Sequence, residues 1–286
     1  MIDEVAQATE PESLLAILRA SKKVVLLGDH KQLSPTVLSP AAKRSGLHHP
    51  LFERLVHLGN QPHVLEIQYR MHPDISAFSN QLFYGGQIRD GTNPDAMPLY
   101  EPWQTAGNRA LFCHIEGREE ISMNGLSRLN RAEGHFVLRF VTWLIEQGVD
   151  ASRIEIISFY DGQREFLEKC MESKMLAVKV NNVDAFQGRE NDFIILSCTR
   201  QDEETGIGFL ANAGRLNVAI TRAKYGMVVI GNVRVLGERN PWHNYLKKFE
   251  DNGLIFTWDH NGFRRANIPV PRAVSARRNN QAFNYG

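Results

Sequence analysis

Asp3 and Glu4 stand side by side in the opening MIDEVAQATEPE, behind one apolar residue, Ile2. A carboxylate at a strand end can hold Mg²⁺, usually through its waters. Its neighbour can accept a proton from an attacking water. The stretch also permits a plainer role: Thr9, Glu10, Pro11 and Glu12 have the make-up of a helix N-terminus, where acids favour the dipole. That role accounts for Glu10 and Glu12 better than for Asp3 and Glu4, which lie upstream of the cap.

Four further stretches carry comparable chemistry. In GDHKQL, an apolar run breaks at Gly28 and a polar turn presents Asp29 and Gln32. Gln32 is neutral and has both a donor and acceptors, which suits a group that touches a terminal phosphate and orients a water; an ordinary turn has the same composition. In QYRMHP, Tyr69 offers a face for a base and Arg70 a fork for phosphate oxygens. A packed tyrosine beside an interface salt bridge is the alternative. In VDAFQGREND, Gly188 allows close backbone approach to a ligand, and Gln187, Arg189 and Glu190 crowd polar groups ahead of the apolar run FIILS. In GRLNVAITRAK, Arg215 and Arg222 are seven residues apart, so a continuous helix would set both on one face. From there two arginines could reach a nucleotide's γ-phosphate, or simply form a solvated basic stripe.

These groups need elements to hold them. KKVVLLGD (22–29), Ile154–Phe159, Phe193–Thr199 and Gly226–Asn232 are β-branched apolar runs that suit strands covered on both faces. Asn130 followed by Glu133 is a variant capping box. It opens a helical stripe of Phe136, Val137, Phe140, Val141, Leu144 and Ile145 that stops at Gly148. Gly162–Ser173 and Gly214–Lys224 are two more predicted helices. Strands alternating with helices imply an α/β fold with a parallel sheet and right-handed crossovers. Residues 85–110, rich in Gly, Pro, Asn and Asp, are expected to form a surface loop. The end of the chain holds Arg264, Arg265, Arg272, Arg277 and Arg278 without an acid, and a disordered basic tail is expected from about residue 261.

The 286 residues leave room for one large domain or two modest ones. With 43% hydrophobic and 23% charged residues and a net charge of +1, nothing in the whole-chain charge announces a nucleic-acid binder. Such binding must therefore rest on local patches. No apolar run approaches the roughly 18 residues a membrane helix needs, so no membrane partner is expected. Cys113, Cys170 and Cys198 are scattered, which suits buried thiols in a reducing interior. His48, His49, His57 and His63 cluster without carboxylate or thiol company at ligand spacing, so no metal site is expected there.

The order of these stretches resembles a known family. DEVAQATEPE, GDHKQLSP, LFERLVHLG, QYRMHP, VDAFQGRENDFIILSCTR and GRLNVAITRAKYGMVVIGN are similar to successive motifs, from II to VI, of superfamily 1 helicases. The resemblance is greatest to the up-frameshift RNA helicases of nonsense-mediated decay, and runs from Ile2 to about Trp242. It implies RecA-like lobes of the P-loop NTPase superfamily, one partial and one complete. Residues 1–61 would be the remnant of the first, 62–245 the second, and 246–286 a C-terminal extension. It implies ATP and Mg²⁺ as cofactors, with Asp3 holding the metal and Glu4 activating the attacking water. Gln32 would sense the γ-phosphate, Tyr69 contact the adenine, Arg70 the phosphates, and Glu190 with Gly188 the ribose or phosphate region. Arg222 would be the arginine finger, and Asn182 and Asp184 would track the nucleic-acid backbone.

The implied partners are single-stranded RNA, or DNA, and mRNA-decay factors. The implied setting is the cytoplasm, with nuclear shuttling, and there is no sign of a homo-oligomer. The family's phosphate-binding loop lies upstream of the acid pair, and no GxxxxGK[ST] occurs in this sequence. The chain is therefore expected to be a C-terminal piece of a helicase, with negligible ATPase activity by itself. The alternative is a catalytically inactive module that binds RNA or a protein.

Overall fold

The computed structural model describes residues 1–19, 22–123, 125–202, 206–259 and 262–274. The N-terminal segment contains three short helices, α1 (Glu10–Ile17), α2 (Pro40–Arg44) and α3 (Leu51–His57). Thr9 and Glu12 close a capping box over α1, and Pro11 occupies its first turn. A single-turn 3₁₀ helix, Val5–Gln7, packs its buried Val5 and Ala6 near α3, whose Leu51 is also buried.

The apolar run at 24–27 is not the buried strand its composition predicts. It makes one parallel bridge, Ile2 to Leu26, and leaves Val24, Val25 and Leu27 between 39% and 50% exposed. Among the described residues its one β-partner is Ile2, so no ladder forms around it.

The rest of the chain builds a doubly covered sheet. It passes through β1 (Ile67–Gln68), α4 (Pro73–Phe83), β2 (Arg89–Asp90), α5 (Trp103–Ala106), β3 (Ala110–His114), β4 (Glu119–Ile121), β5 (Arg128–Asn130) and α6 (Arg131–Glu146). It continues through β6 (Ile154–Ser158), α7 (Asp161–Ser173), β7 (Lys179–Asn182), β8 (Asn191–Ser197), α8 (Ala213–Ile220) and β9 (Ala223–Gly231). It ends with α9 (Val233–Leu236), α10 (Trp242–Asp251), β10 (Ile255–Asp259) and β11 (Gly262–Arg265). The seven-stranded sheet runs β11-β10-β3-β9-β8-β6-β7, parallel throughout except for β11 at one end. Every residue of β3 and β6 is buried, as strands between two helical layers require. The parallel register puts Asn191 of β8 beside Ala223 of β9 at the amino edge, and Ser158, Asn182 and Ser197 together at the carboxyl edge. A seven-residue strand separates the two edges by roughly 20 Å.

Three expectations need correction. Residues 85–110 do not form a plain surface loop: they include β2 and α5, and Trp103 is 1% exposed, stacked on Phe193 at 5.1 Å. Gly226 permits this, since a Cβ there would lie 2.7 Å from the Trp103 ring. The boundary expected at 245 falls inside α10, whose Trp242, Tyr245, Leu246 and Phe249 are buried. β10 then pairs with β3 and β11 with β10, so 246–259 and 262–265 belong to the sheet domain, and the expected disorder does not hold for 262–265. Aromatic packing draws this segment in, with Phe256 stacked on Phe263 at 4.5 Å. Arg277 and Arg278 lie outside the described residues.

Candidate functional site

The amino edge of the sheet gathers most of the chemistry-bearing residues. α8 ends at Ile220, and Arg222 sits in the following turn, directly before β9. Its guanidinium is 3% exposed. Nη2 donates to Thr221 Oγ1 (2.8 Å) and Nη1 to the Arg189 carbonyl (3.3 Å), while the buried Nε has no partner. Burial first, then the nearby Arg70 charge, pull Arg222 down to about 10, against opposing influences that include Glu190 and Glu4. Arg222 therefore remains a cation near neutral pH, surrounded by the acid and base residues the sequence singled out.

Arg70 donates through Nε to Glu190 and through Nη1 to the Thr221 carbonyl (3.1 Å). Glu190 also takes Lys224 Nζ at 3.0 Å. Partial burial pushes the Glu190 carboxyl up; the hydrogen bonds from Arg70 and Lys224 outweigh it and hold the group below the usual carboxylate range. Gly188, with φ +76°, makes the left-handed turn that leads into Glu190, and nothing crowds the space where its Cβ would stand. Tyr69 is 73% exposed and its ring lies close to Gly91, where a Cβ would come within 2.4 Å of it. The bare backbone at Gly91 makes room for the ring while the side chain stays accessible.

The N-terminal segment closes the site from the other side. Glu4 has left-handed backbone (φ 51°), turning the chain sharply after the Ile2 bridge. Its carboxylate accepts Gln7 Nε2 at 2.8 Å and lies within electrostatic range of Arg222. Asp3 is exposed, and one of its oxygens takes the Glu4 amide (2.9 Å). Gln32 is tied to Asp29 by its side chain (2.9 Å) and backbone (3.1 Å), and its carbonyl rests on Gly214 of α8. Asp29 accepts Tyr84 Oη at 2.6 Å, and Asn217 Nδ2 donates to Tyr84 Oη (2.7 Å) and to the Lys31 carbonyl (3.0 Å). Burial and the Asp29 charge push the Tyr84 phenol well up, so it is a hydrogen-bond donor at any working pH.

One sequence expectation is not met. Arg215 and Arg222 do not share a helix face, because α8 stops two residues before Arg222. Arg215 is instead near the start of α8, paired twice with Asp184 at 2.9 Å and stacked over Phe209. Asn182, the last residue of β7, and Asp184, two residues on, stand at the carboxyl edge, apart from the amino-edge cluster. Asn182 donates to Asp161 (3.1 Å), and Asp184 is neutralised by Arg215. Conversely, Lys224, Tyr84 and Asn217 were not singled out from sequence. Asn217 had a visible signal, as a polar side chain among the apolar residues of GRLNVAITR that the structure buries completely.

The arrangement suits an anionic ligand. Arg70, Arg222 and Lys224 bring three cations to the amino edge, and the buried Arg222 Nε has no hydrogen-bond partner among the described residues. A triphosphate is the ligand whose oxygens match several such donors at once. Asp3 can supply one carboxylate oxygen to Mg²⁺, which takes few protein ligands when phosphates provide the others.

A mostly parallel sheet flanked by helices, with a buried arginine at its amino edge within electrostatic range of Glu4 from another segment, defines an NTPase-type α/β domain of the P-loop class. Residues 47–234 match a family model described as AAA domain, and residues 1–40 match a second model of the same description. The chain belongs to this AAA-domain family. It is similar to "Regulator of nonsense transcripts 1" of Caenorhabditis elegans, 42% identical over 99% of this chain and 28% of that protein. It is also similar to "ATP-dependent helicase NAM7" of Saccharomyces cerevisiae (strain ATCC 204508 / S288c), 43% identical over 89% of this chain and 27% of that protein. A third relative is "ATP-dependent helicase upf1" of Schizosaccharomyces pombe (strain 972 / ATCC 24843), 40% identical over 94% and 30%. The chain thus spans less than a third of the length of these relatives.

Proposed function

We propose that this chain is the part of an ATP-dependent helicase in which Mg²⁺·ATP is gripped between the Ile2–Gln32 segment and the amino edge of the sheet. On this reading the N-terminal residues belong to a first RecA-like domain and the sheet to a second. Closing the two around the triphosphate would drive stepping along single-stranded RNA, in nonsense-mediated decay in the cytoplasm. The ligand brings a phosphoanhydride bond and its metal; the chain's residues position and polarise. Glu4 accepts the proton of the attacking water. Gln32 orients that water and touches the terminal phosphate. Arg70 and Arg222 meet the phosphate charge that grows as the bond breaks. Tyr69 offers its exposed ring to the base, and Gly188 lets the backbone before Glu190 approach the nucleotide.

The single observation that carries this reading is the buried Arg222 guanidinium with an unpartnered Nε beside Arg70 and within range of Glu4. The guanidinium is held by Thr221 Oγ1 and the Arg189 carbonyl beside a second cation, an arrangement that an anion would complete. The test is titration of the ¹⁵N-labelled chain with millimolar Mg²⁺·ATP. Resonances of Glu4, Gln32, Arg70 and Arg222 should shift together, and Arg222→Ala should weaken binding. Shifts confined to other surfaces, or unchanged binding by Arg222→Ala, would end the reading. Single-strand binding is checked separately by titrating an unstructured RNA against a DNA of the same sequence.

A further inference from the structure

The amino-edge cluster and the Gln32 turn are joined by hydrogen bonds that the proposed chemistry does not use. The path can be followed atom by atom. Gln32 Nε2 donates to Asp29 Oδ2 (2.9 Å), and the same oxygen accepts Tyr84 Oη (2.6 Å). Tyr84 Oη accepts from Asn217 Nδ2 (2.7 Å). The Asn217 carbonyl, one turn before the end of α8, accepts Thr221 Oγ1 (2.7 Å), and Thr221 Oγ1 accepts Arg222 Nη2 (2.8 Å). Asn217 has a second grip on the turn, donating to the Lys31 carbonyl (3.0 Å), and Gly214 brings α8 close enough that a Cβ would lie 2.2 Å from the Gln32 carbonyl oxygen.

We propose that Tyr84 and Asn217 are positioning residues that key the Arg222 guanidinium to the Asp29–Gln32 turn. The two groups expected on either side of the terminal phosphate then move as one unit. Three features support a built relay over incidental packing. Tyr84 comes from a third element, just after α4, and its hydroxyl fills the gap between turn and helix. Asn217 is 0% exposed, in a helix whose neighbouring Leu216, Val218, Ala219 and Ile220 are apolar and buried, a costly place for an amide unless its bonds are needed. Gly214 is without a side chain at the one point where the turn's backbone meets the helix. A displaced turn would pull on Asn217 through two bonds, and Asn217 holds the threonine that seats Arg222. The catalytic meaning of this coupling rests on the nucleotide reading above; the coupling itself does not.

The experiment uses the whole chain without ligand. The Nε–Hε resonance of buried Arg222 is assigned as the arginine signal lost in Arg222→Lys, and its proton exchange is followed in the variants. Tyr84→Phe keeps the ring and deletes only the bridging hydroxyl. It is expected to shift that resonance and speed its exchange by roughly fivefold, the scale of one hydrogen bond. Gly214→Ala deletes no bond but wedges the turn away, and should have the same effect; Thr221→Ser should retain what Thr221→Val loses. An Arg222 signal indifferent to Tyr84→Phe and to Gly214→Ala, in variants whose amide spectra show a folded sheet, would overturn the relay. Adding Mg²⁺·ATP afterwards separates the two claims. A relay that responds to the variants while Arg222 ignores nucleotide would leave the relay standing and remove the nucleotide reading.

Discussion

Two of the buried ionisable groups, one at each edge of the same sheet, are treated oppositely by the fold. Glu133, in the first turn of α6 at the carboxyl edge, is 0% exposed, and each of its oxygens takes two donors. Oε2 accepts Ser197 Oγ (2.7 Å) and the Thr199 amide (2.8 Å), and Oε1 accepts Asn130 Nδ2 (3.2 Å) and Gln201 Nε2 (3.3 Å). Arg222, at the amino edge, is as deep, yet keeps one donor unpaired and stands beside another cation. A buried charge whose partners all come from the fold is a structural part. A buried charge left incomplete is held ready for something that arrives later. The difference lies in the partners, since depth is nearly equal.

The comparison breaks most sharply through activity. If the chain is supplied with a GxxxxGK[ST]-bearing segment so that it turns over ATP, Arg222→Ala should lower kcat by roughly 10³-fold while sparing RNA binding. Steady-state turnover and strand-binding titrations measure the two halves. The same substitution should change folding stability by less than about 1 kcal/mol, since few bonds are lost with the charge. Near-normal turnover, or severe unfolding, would make Arg222 resemble Glu133 and erase the distinction. The chain by itself should hydrolyse ATP negligibly, because the backbone amides and lysine of such a loop cradle the β- and γ-phosphates; robust RNA-stimulated turnover would contradict that.

Glu133 should show the reverse pattern. Glu133→Ala strands four donors in the interior and should cost on the order of 3 kcal/mol of stability in denaturant titration. Its pH behaviour gives a second handle. Burial raises the carboxyl from its usual 4.5 to about 7 against the pull of its four donors. Between those values the unfolded chain releases a proton that the folded chain retains. Stability from this group should therefore fall as pH rises from 4.5 to about 7 and level off above, by on the order of 3 kcal/mol in all. In Glu133→Gln that fall should vanish while the remaining titrations persist. Arg222 titrates far above this window and should leave the slope untouched.

How legible these edges were in the sequence depends on how local their determinants are. Asn130 with Glu133 identified the start of α6 correctly, and the Asn130 side chain does accept the Glu133 amide (3.2 Å). That Glu133 also reaches Ser197 and Thr199, more than sixty residues away, was invisible, because a capping pattern explains the residue without a tertiary partner. The strands at 154, 193 and 226 were legible because burial on both faces writes an unbroken apolar run. The run at 24–27 has the same composition and stays half exposed, since composition does not record whether neighbouring strands exist to cover it. Trp103 sits in a Gly- and Pro-rich stretch that has the composition of a loop, and only the bare backbone at Gly226 admits it to the core. At the amino edge the residue types were legible one by one, and their convergence was supplied by the order of the motifs. The error over Arg215 came from extending a helix past Ile220, where Thr221 turns the chain.

The gentlest test concerns Tyr69, which belongs to the amino edge but shares neither burial nor bonding with Arg222. Its ring is mostly in solvent and rests on Gly91, so Tyr69→Ala removes little packing and should shift stability by no more than about 0.5 kcal/mol. If the ring's exposed surface receives a base, the same change should weaken binding of ATP several-fold, by the roughly 1 kcal/mol that an aromatic stacking contact carries. It should leave binding of inorganic triphosphate unchanged, because that ligand has no base to stack. Equal losses for both ligands would mean that Tyr69 acts by orienting its neighbour Arg70, and the amino edge would then recognise phosphate alone.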